Sequence, residues 1–173
     1  NMIISLTGFM GCGKSSVGRE LARLLGWPLV DLDRYIEQKM GQRIAEIFDA
    51  GGEQRFRAIE TEALRDIIVM HEVAGGDRIL SLGGGTIVTA PARELLFKHT
   101  ESVYLQTDLD TIFKRIGTHS KTRPLFNDKY KIESLFDERM PLYEQAAHSV
   151  RTDGRSPAEI AELIINQLDL KIQ

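Results

Sequence analysis

Gly8, Gly13, Lys14 and Ser15 stand in the order Gly-x-x-x-x-Gly-Lys-Ser, inside the stretch GFMGCGKS. That pattern binds phosphate. The two glycines allow backbone angles closed to other residues, so successive N–H groups converge on an anion. A helix beginning at Lys14 adds its positive N-terminal end. Lys14 reaches the terminal phosphates of a nucleotide as a point charge, and Ser15 offers its hydroxyl to Mg²⁺. Cys12 occupies a position the pattern leaves free, where a small filler suits better than thiol chemistry. The loop defines a phosphate donor but no reaction, because switch proteins, motor ATPases and small-molecule kinases all use it.

Further residues suggest what lies beside the phosphates. Asp31 and Asp33 stand in D-L-D at the end of the apolar run WPLVDL. Read as a strand, residues two apart face the same side, so both carboxylates look into one crevice. One could hold Mg²⁺ through water, and the other could accept the proton of an acceptor hydroxyl. Equally, the two aspartates could simply cap the helix that follows. Ser81-Leu82-Gly83-Gly84-Gly85 offers bare backbone N–H groups and close approach to a ligand, unless it is only a flexible loop. Arg57 and Glu60 lie one turn apart on a helix face; taken alone, such a pair suits a solvated surface ion pair. Arg123 in RPL and Arg139 in RMPLY carry no signal by themselves.

Alternating strands and helices must position these residues. Apolar runs predict strands over 2–7, 27–32, 78–82 and 102–107, with a weak fifth over 148–152. Helical spacing covers 16–26, where Val17, Leu21, Leu24 and Leu25 recur and Gly26 stops the run. It continues over 34–40, 44–50, about 53–71 after the Gly51-Gly52 break, 91–99 and 109–116. Ser156-Pro157-Ala158-Glu159 is a capping box that opens the last helix. Ile160, Leu163, Ile164 and Leu168 form its apolar stripe. The alternation predicts one α/β domain over 1–173, with a five-stranded parallel sheet and helices on both faces. The phosphate loop, the two aspartates and the triple glycine all follow strands, at the edge where such sheets bind ligands. Gly117–Lys131 is polar, basic and long for a connection, which suits a mobile lid.

Composition narrows the partners. A net charge of -3 offers no basic face for nucleic acid. Hydrophobic content of 42% and charged content of 27% suit a soluble globular chain. Cys12 is the only cysteine, so no internal disulfide is possible and a reducing compartment fits. No apolar run is long enough to span a membrane. The first apolar run begins at Met2, leaving no room for a signal peptide ahead of it. The expectation is a cytoplasmic monomer. His71, His99, His119 and His148 fall outside every motif and read as surface or packing residues, with His119 a candidate lid contact. Trp27 reads as a packing residue beside Pro28.

Taken together, GFMGCGKSSVGRELA, DLD, GEQRFRAIE, SLGGG, RPL and RMPLY resemble the shikimate kinase family, in that family's order and at about its spacing. The resemblance covers Met2 to Leu168. It implies a three-layer P-loop fold of the nucleoside-monophosphate-kinase kind, with a substrate-binding region near 33–61 and a lid near 117–130. It implies transfer of the ATP γ-phosphate to the 3-hydroxyl of shikimate, a step towards chorismate and the aromatic amino acids. Asp33 would bind the shikimate hydroxyls and act as base. Arg57 and Arg139 would grip the carboxylate, Glu60 would orient Arg57, and Gly83, Gly84 and Gly85 would contact the substrate. Gly8, Met10, Gly11, Cys12, Gly13, Lys14, Ser15 and Ser16 would surround the ATP phosphates. Lys14 and the lid residue Arg123 would stabilise the moving phosphoryl group. Ser15 with Asp31, and Ser81 through water, would serve Mg²⁺. Arg115 and Arg155 would lie beside the adenine. Two alternatives stay open on the motifs: a gluconate-kinase-like enzyme of the same fold, or a nucleotide switch with no acceptor substrate.

Overall fold

Short runs of branched residues pair into one parallel sheet, and the segments between them coil as helices. The computed structural model describes residues 1–117 and 129–173. Its strands are β1 (Ile3–Thr7), β2 (Leu29–Asp31), β3 (Arg78–Ser81), β4 (Glu101–Gln106) and β5 (His148–Arg151). Their spatial order is β2-β3-β1-β4-β5. Every pairing is parallel; Leu6 of β1 lies opposite Ser81 on one side and Val103 on the other. The helices are α1 (Lys14–Leu25), α2 (Leu32–Met40), α3 (Ile44–Ala74), α4 (Ala90–His99), α5 (Leu109–Gly117), α6 (Lys129–Tyr143) and α7 (Pro157–Gln167). A 3-10 turn, Thr86–Val88, precedes α4.

Because side chains alternate along a strand, β1 feeds both layers. Ile4 and Leu6 pack with Val17, Leu21 and Leu25 of α1 and with Ile160 and Ile164 of α7. Ile3 packs the other way, with Leu32 and Ile36 of α2, Leu64 and Ile67 of α3, and Leu96 of α4. A third cluster joins Phe9 and Tyr104 to Ile112 and Ile116 of α5 and to Ile132, Phe136 and Tyr143 of α6. The sheet is thus covered on both faces, as the alternation predicts. β1 sends its chain into α1 on one face, while the neighbouring β3 sends its chain to α4 on the other. The loops after β1 and β3 therefore part and leave a crevice at the strand ends, where doubly wound sheets bind ligands.

Three local features depart from the sequence reading. The second strand stops at Asp31, and Leu32 begins α2 with its side chain fully buried. The Asp31 carboxylate accepts the Arg34 backbone N–H at 3.1 Å, so the helix gains an N-cap that a longer strand would forfeit. The Gly51-Gly52 break is a kink within α3, with Gly52 at φ 77° and ψ -175°. Helix α6 falls where no helix is predicted. Ile132, Leu135, Phe136 and Met140 recur at helical spacing, but Pro141 sits inside it, a residue that normally reads as a helix break. The capping box of α7 forms as expected: the Ser156 hydroxyl accepts from the Glu159 N–H at 3.1 Å, and the Ser156 N–H donates to the Glu159 carboxylate at 3.2 Å. Among the described residues, no helix is long and apolar enough to cross a membrane.

Candidate active site

The phosphate loop joins β1 to α1 through three glycines at positive φ: Gly8 at 153°, Gly11 at 79° and Gly13 at 95°. Gly8 is also fixed by space. A β-carbon there would lie 2.7 Å from the Cys12 Sγ and 2.9 Å from the Leu105 carbonyl oxygen. Gly13 is the N-cap of α1 and brings no side-chain acceptor to the first turn, which leaves those N–H groups for an anion. The Lys14 ammonium bends back across the loop and donates to the carbonyls of Gly8 at 2.6 Å and Phe9 at 3.2 Å. Cys12 is buried and free, the filler that its position suggests.

On the α2 side of the loop, Ser15, Asp31 and Ser81 line one hollow of about 400 Å³. Two hydroxyls and a single carboxylate are the sparse oxygen set that Mg²⁺ accepts, since it keeps most of its waters. Among the described residues, no three His, Cys, Asp or Glu side chains gather as a denser metal site. On the α7 side, Cys12, Gly13 and Ser16 share a hollow of about 240 Å³ with Arg115 and Arg155. Arg115 donates to the Gly11 carbonyl at 2.8 Å, and Arg155 to the Arg151 carbonyl at 2.8 Å. Both expected adenine-side arginines therefore reach the loop's flank. Arg123, with Lys121 and His119, lies outside the described residues.

Across the crevice, the triple glycine after β3 is the floor on which the other expected residues meet. A β-carbon on Gly83 would lie 3.3 Å from the Asp33 Oδ1. One on Gly84 would lie 3.4 Å from the Met10 N–H nitrogen and 3.8 Å from the Arg139 Nη1. One on Gly85 would lie only 2.1 Å from the Arg57 Nη2. Each glycine thus lies against a different functional group, and the bare backbone is what lets all of them come together. Asp33, Arg57, Arg139 and the phosphate loop thus all lie against one glycine run, although they come from α2, α3, α6 and the end of β1.

Arg57 and Glu60 do not form a solvated surface pair. The Arg57 side chain is 13% exposed and that of Glu60 only 2%. Arg57 Nη1 donates to Glu60 Oε1 at 2.9 Å, while the exposed Glu53 is 3.6 Å from Nη2. Phe56 stacks beneath the guanidinium at 5.2 Å. Arg139 lies beside the Tyr143 hydroxyl, and that hydroxyl donates to the Gly84 carbonyl. Tyr143 stacks on Tyr104 with centroids 5.3 Å apart, and burial holds its hydroxyl well above the usual tyrosine range. The Nε atoms of Arg57 and Arg139 are buried without a hydrogen-bond partner among the described residues. Two such guanidinium groups beside adjacent glycines favour a planar anion.

Asp33 occupies the first turn of α2, and Asp31 is the residue that caps it. They are not two positions of one strand, so the shared-face argument fails even though both carboxylates reach the crevice. Burial raises Asp33 from the usual 3.8 to about 6, with help from the Glu60 and Asp31 charges and against the pull of Lys14. A carboxylate raised this far is still ionised at neutral pH and is a better proton acceptor than a solvated one. The sequence reading missed Thr86 and the inward role of Tyr143. Thr86 directly follows the triple glycine, which is the one signal that could have drawn notice to it.

Three comparisons bear on this geometry. The family model described as shikimate kinase matches residues 10–169. A shikimate kinase of Rhodococcus jostii is 43% identical over 167 residues, covering 94% of this chain and 95% of the relative. One from Thermus thermophilus is 41% identical over 169 residues, covering 95% of this chain and 89% of the relative. Among solved structures, the shikimate kinase from Acinetobacter baumannii in complex with shikimate superposes with a TM-score of 0.86 at 35% identity, covering 96% of this chain and 92% of that one.

Proposed function

The chain belongs to the shikimate kinase family, and from that premise we infer that it transfers the γ-phosphoryl group of ATP to the 3-hydroxyl of shikimate. The products are 3-phosphoshikimate and ADP, in the route to chorismate and the aromatic amino acids. One observation carries the assignment of roles. Gly84 touches the phosphate loop at Met10 and the acid-binding side at Arg139, so donor and acceptor sites share a wall.

The residues then divide the work. The Gly8–Ser16 loop holds the β- and γ-phosphates by its N–H groups, and Lys14 turns from the loop carbonyls to the moving phosphoryl oxygens. Arg57 and Arg139 grip the shikimate carboxylate, each contact contributing about 1.5–3 kcal/mol. The grip turns the ring so that its hydroxyl meets Asp33, which accepts the proton as the O–P bond forms. Glu60 holds Arg57 in place. Mg²⁺, when bound, neutralises the phosphate charge; Ser15 and Asp31 would hold it, with Ser81 through water. Arg115 and Arg155 flank the adenine. We extend the substrate-binding region over 33–61 and the lid over 117–130, with Arg123 closing on the phosphoryl group. All the named groups come from one chain, so the site needs no second copy and a monomer suffices. The buried, free Cys12 suits a reducing cytoplasm.

ADP release measured with shikimate, gluconate and nucleoside monophosphates tests the assignment. Turnover is expected with shikimate alone, and turnover on gluconate without shikimate would reject it. A switch protein would bind nucleotide with no stimulation by any hydroxy acid, and would leave the Asp33, Arg57 and Arg139 convergence without use.

A further inference from the structure

Glu60 has two carboxylate oxygens, and only one of them faces Arg57. The other, Oε2, accepts a hydrogen bond from the Thr86 hydroxyl at 2.8 Å. That same hydroxyl accepts the Gly83 backbone N–H at 3.0 Å. Thr86 is fully buried, as is its partner Glu60. A hydroxyl has one hydrogen to donate. Here it goes to the carboxylate, so the direction of both bonds is settled: the Gly83 N–H donates to Thr86 and Thr86 donates to Glu60, whose other oxygen accepts from the Arg57 guanidinium. The chain ties the backbone under Asp33 to the arginine that packs on Gly85.

We infer that Thr86 is a positioning residue for the acceptor substrate, acting through Glu60 on Arg57 and through Gly83 on the floor beneath Asp33. The inference rests on the proposed function and adds to it a residue with no direct substrate contact. The physical reason is the charge on Glu60. A buried carboxylate keeps its place only if both oxygens are satisfied. Without the Thr86 donor, Oε2 must find another partner, and the simplest is the second nitrogen of Arg57. That would turn the guanidinium away from the substrate. Gly83 would lose its acceptor at the same time.

The test uses the full chain. Thr86→Val keeps the shape and removes the hydroxyl, Thr86→Ala removes it with less bulk, and Thr86→Ser restores it. The wild type must first release ADP with shikimate; if it does not, the proposed function fails before any variant is made. Shikimate and a non-hydrolysable ATP analogue are then titrated separately into each protein. The hydroxyl-free variants are expected to bind shikimate about 10-fold more weakly, the effect of one unsatisfied buried acceptor. The ATP analogue should bind as in the wild type, and Thr86→Ser should recover shikimate affinity. In an Arg57→Ala background the Thr86→Val change should cost little more, because coupled residues are not additive. Unchanged shikimate affinity, equal loss for both ligands, or full additivity with Arg57→Ala overturns the inference. If neither hydroxyl-free variant holds the ATP analogue, Thr86 is a residue of the fold and the inference is equally overturned.

Discussion

Asp33, raised to about 6, stays ionised at neutral pH and is a stronger base than a solvated aspartate. Its raised pKa has a cost in stability. Folding lifts the group from 3.8 to about 6, so the folded chain binds an extra proton between those values. Its contribution to stability is full below pH 3.8 and is lost as pH rises through about 6. Asp33→Asn removes the charge and its cost, which is at most about 3 kcal/mol. The variant should therefore melt higher than wild type at pH 7, with the gap closing towards pH 4. It should also lose about 10²–10⁴ in turnover, the usual contribution of a positioned base, while still binding the ATP analogue. Near-normal turnover would remove Asp33 as base. In the wild type, turnover per unit shikimate should fall about tenfold per pH unit below about 6.

At the scale of elements, the glycine triplet is as important as the side chains around it. Gly85→Ala would place a methyl group 2.1 Å from the Arg57 Nη2. Arg57 can move only by giving up its place on that floor, so the KM for shikimate should rise with the KM for ATP little changed. Matched rises in both would mean that the crevice itself had deformed. The capping box of α7 provides a contrast. Its Ser156 hydroxyl lies far along the chain from the shikimate-side residues and satisfies one helix N–H. Ser156→Ala should cost about 1 kcal/mol of stability, read as a lower melting temperature, with the KM for shikimate unchanged. A changed shikimate KM would show that α7 communicates with the acceptor site.

For the whole molecule, two ligands held side by side against one wall should each stabilise the fold by mass action. A ligand at about 100 times its Kd adds about 2.7 kcal/mol, a shift of roughly 5–10 °C for a chain of this size. The ATP analogue and shikimate should each raise the melting temperature of the wild type. Arg57→Ala should keep the nucleotide shift and lose most of the shikimate shift. Loss of both shifts would make Arg57 structural.

What the sequence alone determined was local and chemical. The phosphate loop, the capping box of α7 and the alternation of apolar runs each depend on neighbours within a few residues. Their backbone geometry follows from residue type, as the positive φ of Gly8, Gly11 and Gly13 shows. The sheet and its two helical layers were legible for the same reason. What only the tertiary structure decided was the meaning of residues whose partners are distant in the chain. The sequence left open whether Asp31 and Asp33 share a strand face or cap a helix, and burial with the charge of Glu60, on α3, is what sets Asp33 apart. Arg57 and Glu60 read as a surface pair until Thr86, 26 positions from Glu60, closed the second side of the carboxylate. Helix α6 went unpredicted because Pro141 reads as a break, yet it carries Arg139 and Tyr143, and the Tyr143 hydroxyl reaches a carbonyl 59 residues away. Burial and long-range hydrogen bonds set those roles, and neither is written in spacing along a chain.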